Sequence, residues 1–521
     1  MKKLMFPVLG MSLLLAACSP DVSTPKPDTT TPKSSDEIPS VPRPANPGSG
    51  DICSVVSGSL PLSVKLNKGA DILDQGTRAP GKFTAQSVEL PETLQDMLYS
   101  TKSIVNNVYF GYSTVDLDKV HEDAYVDFKK DFPNKLNSYV LSDYLQTYST
   151  LTEDQQDLVD EKMSTYIGNI KDGHTFYMNR AQTDADKNGS APTPVLGVSL
   201  DLVPGQDGLI LTTVRLDGPA WTAGMRRGDV ILSVNGTPLT RTAGMSDDEQ
   251  YAAFRKILSA AIAAGGDLVM NVKTAGKIHE VRATPAVLTG TSMPWGEVRT
   301  DSTGKQHYYL RIPTFSSVGP QRTSQIPTPI TNRVNQLVAE AQSKGIDNIV
   351  VDLRGNGGGL LTEFVGAAAA FAPSVAGEST HYIDGSSINF TYANGNIVLN
   401  DGCKLFEAKY PVQNPIKWNG KVAVLVDNNS ASASEMFSTN LRAAGFTIIG
   451  DKTYGVGSTS TYHLDLPAGR SMSITAGRTY VGDKPVAEFI TPDIESKDDY
   501  AKLADTGVDN TLEVAYALLN K

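Results

Sequence analysis

Cysteine is scarce in this chain, with three residues in 521. That scarcity excludes a fold held together by a dense disulfide framework. Histidine is nearly as rare, with six. No Cys/His cluster has metal-ligand spacing, so neither a metal site nor a cofactor is expected. Positive charge is also short: 46 Lys and Arg stand against 57 Asp and Glu, for a net charge of −11. With no basic patch, nucleic acid is not an expected partner. The apolar stretch Leu4 to Leu15 is too short to span a bilayer as a mature helix. What remains is ordinary for a folded, water-exposed protein: 40% hydrophobic and 20% charged residues. The length allows roughly three domains.

The apolar stretch follows Lys2 and Lys3 and ends in Leu15-Ala16-Ala17-Cys18. This tetrapeptide resembles a bacterial lipobox, which implies that Cys18 is lipidated and becomes the first mature residue. A plain secretory signal cleaved after Ala17 is the rival reading. Residues 19–50 are rich in Pro, Ser, Thr and Asp, too polar to bury a core, and read as a disordered tether. The expectation is an exported lipoprotein of the bacterial cell envelope, on the outer membrane or periplasmic face, with the membrane as a partner through Cys18. Cys53 and Cys403 are left either as a disulfide or as two buried thiols.

Beyond the tether the texture changes twice. Residues 51–192 read as a mainly helical N-terminal domain: Leu94, Met97, Leu98, Ile104 and Val105 follow helical spacing, and Thr152 is a candidate N-cap before Glu153 and Asp154. Residues 193–288 carry short β-like runs and the turn pair Asn235-Gly236. Residues 289–521 alternate strand and helix, the mark of an α/β core. In this last part Ile346 to Leu353 reads as a buried strand, and Gly345 closes the helix before it.

Two segments of the last part carry chemistry. Ser430-Ala431-Ser432-Ala433-Ser434-Glu435 sits between the apolar run Val422 to Val426 and a helical pattern. A serine at the first turn of a helix lies near backbone N–H donors and the positive end of the helix dipole. A nucleophile developing an oxyanion would stand there, although an N-cap serine is the commoner occupant. Asp352-Leu353-Arg354-Gly355-Asn356-Gly357-Gly358-Gly359 follows a strand, and its glycines let the backbone approach a ligand closely. A dinucleotide fingerprint fails here, because Leu360 stands where the third glycine belongs; a Walker loop fails because no Gly-Lys-Ser/Thr follows. Arg354 is expected to pair with Asp352 or a neighbouring carboxylate.

Gly218 to Met225 with Arg227-Gly228-Asp229 resembles the helix and following strand of a bacterial PDZ domain. The resemblance places a carboxylate-binding loop at Leu196, Gly197, Val198 and Ser199. Together with the two segments above and Gly450 to Gly457, it makes most of residues 93–521 resemble the carboxy-terminal-processing serine peptidases, or tail-specific proteases. The implied architecture is a multidomain α/β protein with a helical N-terminal region, a PDZ-like β-rich domain and a crotonase-like α/β peptidase core. The implied nucleophile is Ser432, with oxyanion donors at Gly358, Gly359 and Ala433.

The family's lysine base is missing: Val456 occupies its place in Thr453-Tyr454-Gly455-Val456-Gly457, and Lys452 is the nearest amine. The tricorn-like branch has instead a histidine in a motif like Asp172-Gly173-His174-Thr175, and an acid shortly before a Pro-Asp pair, here Glu488 before Pro492-Asp493. The resemblance therefore implies a Ser432–His174–Glu488 set, and a protein or peptide with an exposed C-terminus as substrate. Two other readings stay open: a catalytically inactive lipoprotein of the same fold that binds peptides or hydrophobic ligands, and an envelope scaffold acting through the PDZ.

Overall fold

The computed structural model describes residues 94–110, 115–132, 151–188, 193–318, 322–323, 326–382, 386–402 and 407–521. The leader with Cys18, the tether, the strand-like piece Leu60 to Leu66, Cys53 and Cys403 lie outside the described residues.

The chain opens with α1 (Leu94–Val108), α2 (Leu117–Asp131) and α3 (Glu153–Gly168), then β1 (Phe176–Met178) and α4 (Arg180–Asn188). A capping box starts α3: Thr152 Oγ1 accepts from the Gln155 amide, and Gln155 Oε1 accepts from the Thr152 amide. The apolar faces of α1 and α3 (Met97, Val105, Val159, Met163, Ile167) do not close on themselves. They pack against Met472 and Ile474 of the strand Arg470–Val481. The same strand pairs antiparallel with β1. The helical segment thus shares one hydrophobic core with this distant strand, which fixes the residues just before β1 against the rest of the molecule.

Next come β2 (Val198–Leu202), β3 (Leu209–Val214), α5 (Pro219–Thr222), β4 (Val230–Val234), β5 (Thr237–Pro238), α6 (Asp247–Ala263), β6 (Leu268–Thr274) and β7 (Lys277–Ala283). Their sheet runs β2-β3-β4-β6-β7, with β5 against β4, so β2 is an edge strand. Asn235 and Gly236, at φ 48° and 80°, make the tight turn between β4 and β5. A Val195–Ala286 bridge closes the unit.

The remaining elements are β8 (Trp295–Thr300), β9 (Gln306–Arg311), α7 (Pro329–Ser343), β10 (Asn348–Asp352), α8 (Leu361–Ala369), β11 (Gly377–Tyr382), β12 (Ser387–Ala393), β13 (Asn396–Asp401), β14 (Glu407–Pro411), β15 (Lys421–Val426), α9 (Ala433–Ala443), β16 (Thr447–Gly450), β17 (Thr459–Leu466), β18 (Arg470–Val481), β19 (Lys484–Pro485), β20 (Ile494–Glu495), α10 (Tyr500–Thr506) and α11 (Asn510–Leu519). One sheet, ordered β20-β16-β15-β10-β9-β8, is parallel except for β8. Its central strands β10 and β15 carry the buried apolar runs Ile349 to Val351 and Val422 to Val426, as strands covered on both faces do. The carboxyl ends of β10 and β15 are neighbours, at Asp352 and Leu425. They deliver the glycine loop and the serine segment to one place, as open parallel sheets do for their ligands.

The 195–286 unit is seated firmly on this core. Trp221 and Trp295 meet edge to face at 5.2 Å. Leu503 and Ala504 of α10 pack on Val203, Ile210 and Val230. Neither contact has a local sequence signal, because each joins segments far apart in the chain.

Candidate active site

Ser432 sits at the first turn of α9 with φ 52° and ψ −117°. A side chain in that region is strained, and such strain persists only where neighbours over-determine it. The neighbours are visible. The Ser430 hydroxyl donates to the Leu353 carbonyl at 2.9 Å, and the Ser434 hydroxyl donates to the Asn356 carbonyl at 2.8 Å. The Ala431 amide donates to Asn356 O. The outer serines of the motif thus tie the elbow to the glycine loop. Ser432 alone of the three has a hydroxyl that donates to no carbonyl among the described residues.

The glycine loop touches the elbow directly. A Cβ on Gly358, at φ 103°, would lie 2.8 Å from Ser432 Cβ and 3.0 Å from the Ala433 nitrogen. Only glycine permits that approach. Of the three amides expected as oxyanion donors, Gly358 N–H is spent on Asn356 Oδ1 at 2.9 Å. The physical reason is the side chain of Asn356, which folds back under its own loop. The Gly359 and Ala433 amides meet no acceptor among the described residues. The flanking bonds run from Phe315 N to Gly358 O and from Leu360 N to Phe315 O, which leaves Gly359 N–H between them.

His174 is buried on the turn between α3 and β1. Asp172 builds that turn: Oδ1 accepts from the His174 and Thr175 amides, and Oδ2 accepts from the Thr175 hydroxyl. Gly173 adopts φ 72°. The imidazole Nδ1 lies 2.8 Å from Thr459 Oγ1. That hydroxyl donates to the Val456 carbonyl, so its oxygen is free to accept from Nδ1–H. The tautomer that follows has a bare Nε2, and Nε2 is buried with no hydrogen-bond partner among the described residues. Burial pushes the imidazole down to about 4, against the opposing pull of Asp172. It is neutral at pH 7.

Val456 joins the two halves. Its side chain lies 3.8 Å from where a Gly173 Cβ would be, and it packs on Ala431. The residue that replaces the lysine is thus the spacer between the His174 turn and the serine elbow.

Beneath both lies Glu435, which residue-by-residue reading of the sequence had left without a role. Oε2 accepts from the Ser432 and Val456 amides, and Oε1 accepts from the Gly455 amide and the Thr453 hydroxyl. Burial pushes the carboxyl up to about 7, against these donors. One side chain therefore positions the elbow and the 453–457 turn together. The Ser-x-x-Glu spacing of a capping box was the available signal.

Glu488 is not brought to His174. Its carboxylate is exposed and makes no hydrogen bond to the imidazole, whose Nδ1 belongs to Thr459; only the Glu488 carbonyl enters the site, accepting from the Gly457 amide. Lys452 is exposed, with Nζ 3.3 Å from the centroid of the Phe489 ring, and no bond joins it to Ser432.

Arg354 pairs with Asp352 at 2.7 Å and also with Asp498 and Asp509, all largely buried. Burial alone would raise the Asp352 carboxyl, but Arg354 and Arg311 hold it well below the usual carboxylate range. Asp498 and Asp509 also bind Arg227 of the 195–286 unit. In the same contact a Cβ on Gly355 would lie 2.9 Å from Thr213 Cγ2 on β3.

In the 195–286 unit, Gly197 adopts φ 75°, and the carbonyls of Leu196 and Gly197 accept from Ala220 and Arg215 amides. Val198 and Ser199 begin the edge strand β2.

Comparison with known proteins agrees with this geometry. Residues 307–496 match the model of peptidase family S41, and residues 210–253 match a PDZ domain. The chloroplastic C-terminal processing peptidase of Tetradesmus obliquus is 27% identical over 336 residues, covering 61% of this chain and 65% of that protein. The carboxy-terminal processing protease CtpA of Bacillus subtilis is 26% identical over 391 residues, covering 74% of this chain and 73% of the relative. Among solved structures, an S41 protein from Bacteroides fragilis superposes with a TM-score of 0.52 at 17% identity, over 85% of this chain and 98% of that one. The chain spans just under two thirds of the algal relative's length. With carboxy-terminal processing proteases as its relatives, the chain carries a PDZ unit at residues 210–253 seated on a domain, residues 307–496, of peptidase family S41, a family of serine peptidases.

Proposed function

We propose that this protein is an exported, lipid-anchored serine endopeptidase that captures a peptide tail in its PDZ groove and cleaves through an acyl-enzyme on Ser432. The observation that carries the reading is the buried, unpartnered Nε2 of His174, with Nδ1 fixed by Thr459. A neutral imidazole in that tautomer accepts a proton at Nε2.

In the acylation step Nε2 takes the Ser432 hydroxyl proton while Oγ bonds to the scissile carbonyl carbon. The carbonyl π pair moves onto oxygen, where the Gly359 and Ala433 amides receive it. Collapse expels the amine, which takes the proton from the imidazolium. A water then repeats the cycle on the ester and restores Ser432. Thr459 and Glu435 do not touch substrate; they hold the base and the elbow in register.

The experiment compares Ser432→Ala and His174→Ala with the parent protein on a tailed, unfolded substrate, alongside fluorophosphonate labelling. Loss of turnover by several orders of magnitude in both variants, with labelling confined to Ser432, is the expected result. Undiminished cleavage by His174→Ala together with loss in Lys452→Ala would move the base to Lys452. A folded protein that takes no label would favour the second reading, a binding lipoprotein of the same fold, for which Val456 in place of a lysine is the supporting observation. The anchor is tested separately: Cys18→Ser should release the protein from the membrane fraction.

A further inference from the structure

The edge strand β2 presents its outward backbone groups toward α6. The Leu202 amide donates to Asp201 Oδ1 and the Leu200 carbonyl accepts from a side chain, as backbone groups on the free edge of a sheet do. The Leu200 carbonyl is not idle there. The Tyr251 hydroxyl, reaching over from α6, donates to it at 3.1 Å. A phenol thus occupies the place that an incoming strand's N–H would take.

The phenol comes with a cation. Arg255, one turn further along α6, donates from Nη1 to Tyr251 Oη at 3.3 Å, and its guanidinium lies 5.7 Å from the ring centroid. No carboxylate pairs with Arg255 among the described residues. Asp247 of α6 pairs with Arg241, Glu249 with the Ser246 cap, and Asp201 of β2 with the Leu202 amide. Val198 and Leu200 pack toward the apolar core beside α6, so the groove floor is hydrophobic and its wall carries the donors.

We infer that the PDZ groove selects peptide tails with an aspartate or glutamate opposite Leu200, held by Tyr251 and Arg255. This rests on the tail-capturing reading above. A tail whose terminal carboxylate enters the Leu196–Val198 loop runs antiparallel to β2, with its last residue opposite Val198. The residue opposite Leu200 then stands two before the end. Directly opposed residues of an antiparallel pair point to the same face, here toward α6. When the tail's N–H takes over the Leu200 carbonyl, the phenol is released and keeps its proton to donate. A carboxylate, which only accepts, answers both the phenol and the guanidinium.

The test uses the full chain carrying Ser432→Ala, so that peptides stay intact. Labelled ten-residue tails with Glu or Gln at each of the last four positions are titrated by fluorescence anisotropy. The expected result is about tenfold tighter binding of the Glu tail at the third residue from the end, shrinking with salt. Arg255→Gln brings that ratio close to one. Tails that bind equally with Glu and Gln, while their C-terminally amidated forms do not bind, would overturn the acid preference and leave tail capture standing. A protein that binds no tail at all would overturn both.

Discussion

His174 provides a quantitative test that needs no substrate. In the unfolded chain its imidazole titrates near 6.5, and in the folded protein burial brings it to about 4. Between those values the unfolded state takes up a proton that the folded state refuses. Stability is therefore lost as pH falls through 6.5, and the loss is complete below about 4. At about 1.4 kcal/mol per pH unit, the interval amounts to roughly 3 kcal/mol. The raised carboxyls work in the opposite direction: Glu378 at about 8, Glu435 at about 7 and Asp160 at about 6 bind protons more readily when folded, so acid stabilises through them. The comparison must be with His174→Asn, which removes the imidazole and leaves those groups in place. Urea unfolding at pH 7 and pH 4.5 should show the parent losing about 2–3 kcal/mol more than the variant. Activity gives a second readout on the same group, because in the proposed mechanism His174 accepts a proton only when neutral. The acid limb of kcat/KM should lie well below 6.5, toward about 4. Parallel stability curves for parent and variant, with an acid limb at 6.5, would refute a buried neutral imidazole.

Other outcomes follow from single contacts. Thr459→Val removes the acceptor of Nδ1–H, so kcat should fall about 10²-fold with little change in KM, and its acid limb should shift. Glu488→Gln should leave kcat within about twofold by initial-rate assay, because an exposed carboxylate without a partner in the site contributes little. Arg354→Ala leaves three largely buried aspartates to two cations, Asp352 to Arg311 and Asp498 with Asp509 to Arg227, and should cost about 3 kcal/mol by denaturant unfolding.

Much of the layout could be read from local pattern. The strand ending at Asp352, the helix after Ser432 and the Asn235-Gly236 turn each carry their own signal of apolar spacing or left-handed backbone. The glycine loop beside the elbow was legible because a close approach demands glycine. What escaped depends on distant partners. Thr459 meets His174 across 285 residues, and nothing in its own segment distinguishes it from any strand threonine. Asn356 reads as a loop residue until its side chain is seen taking the Gly358 amide. Likeness to a family pointed to Glu488, yet whether a carboxylate faces inward is decided by the conformation of one turn. The helical segment read as a separate domain because its amphipathic spacing gives no hint that β17 and β18 complete its core.

The shared aspartates give the order of synthesis a consequence. Arg227 leaves the ribosome first, Arg354 follows with its partner Asp352 just ahead of it, and the shared Asp498 and Asp509 come later still. The fastening between the glycine loop and the 195–286 unit therefore cannot close until the C-terminal segment has been made, because both carboxylates that bridge Arg227 and Arg354 lie there.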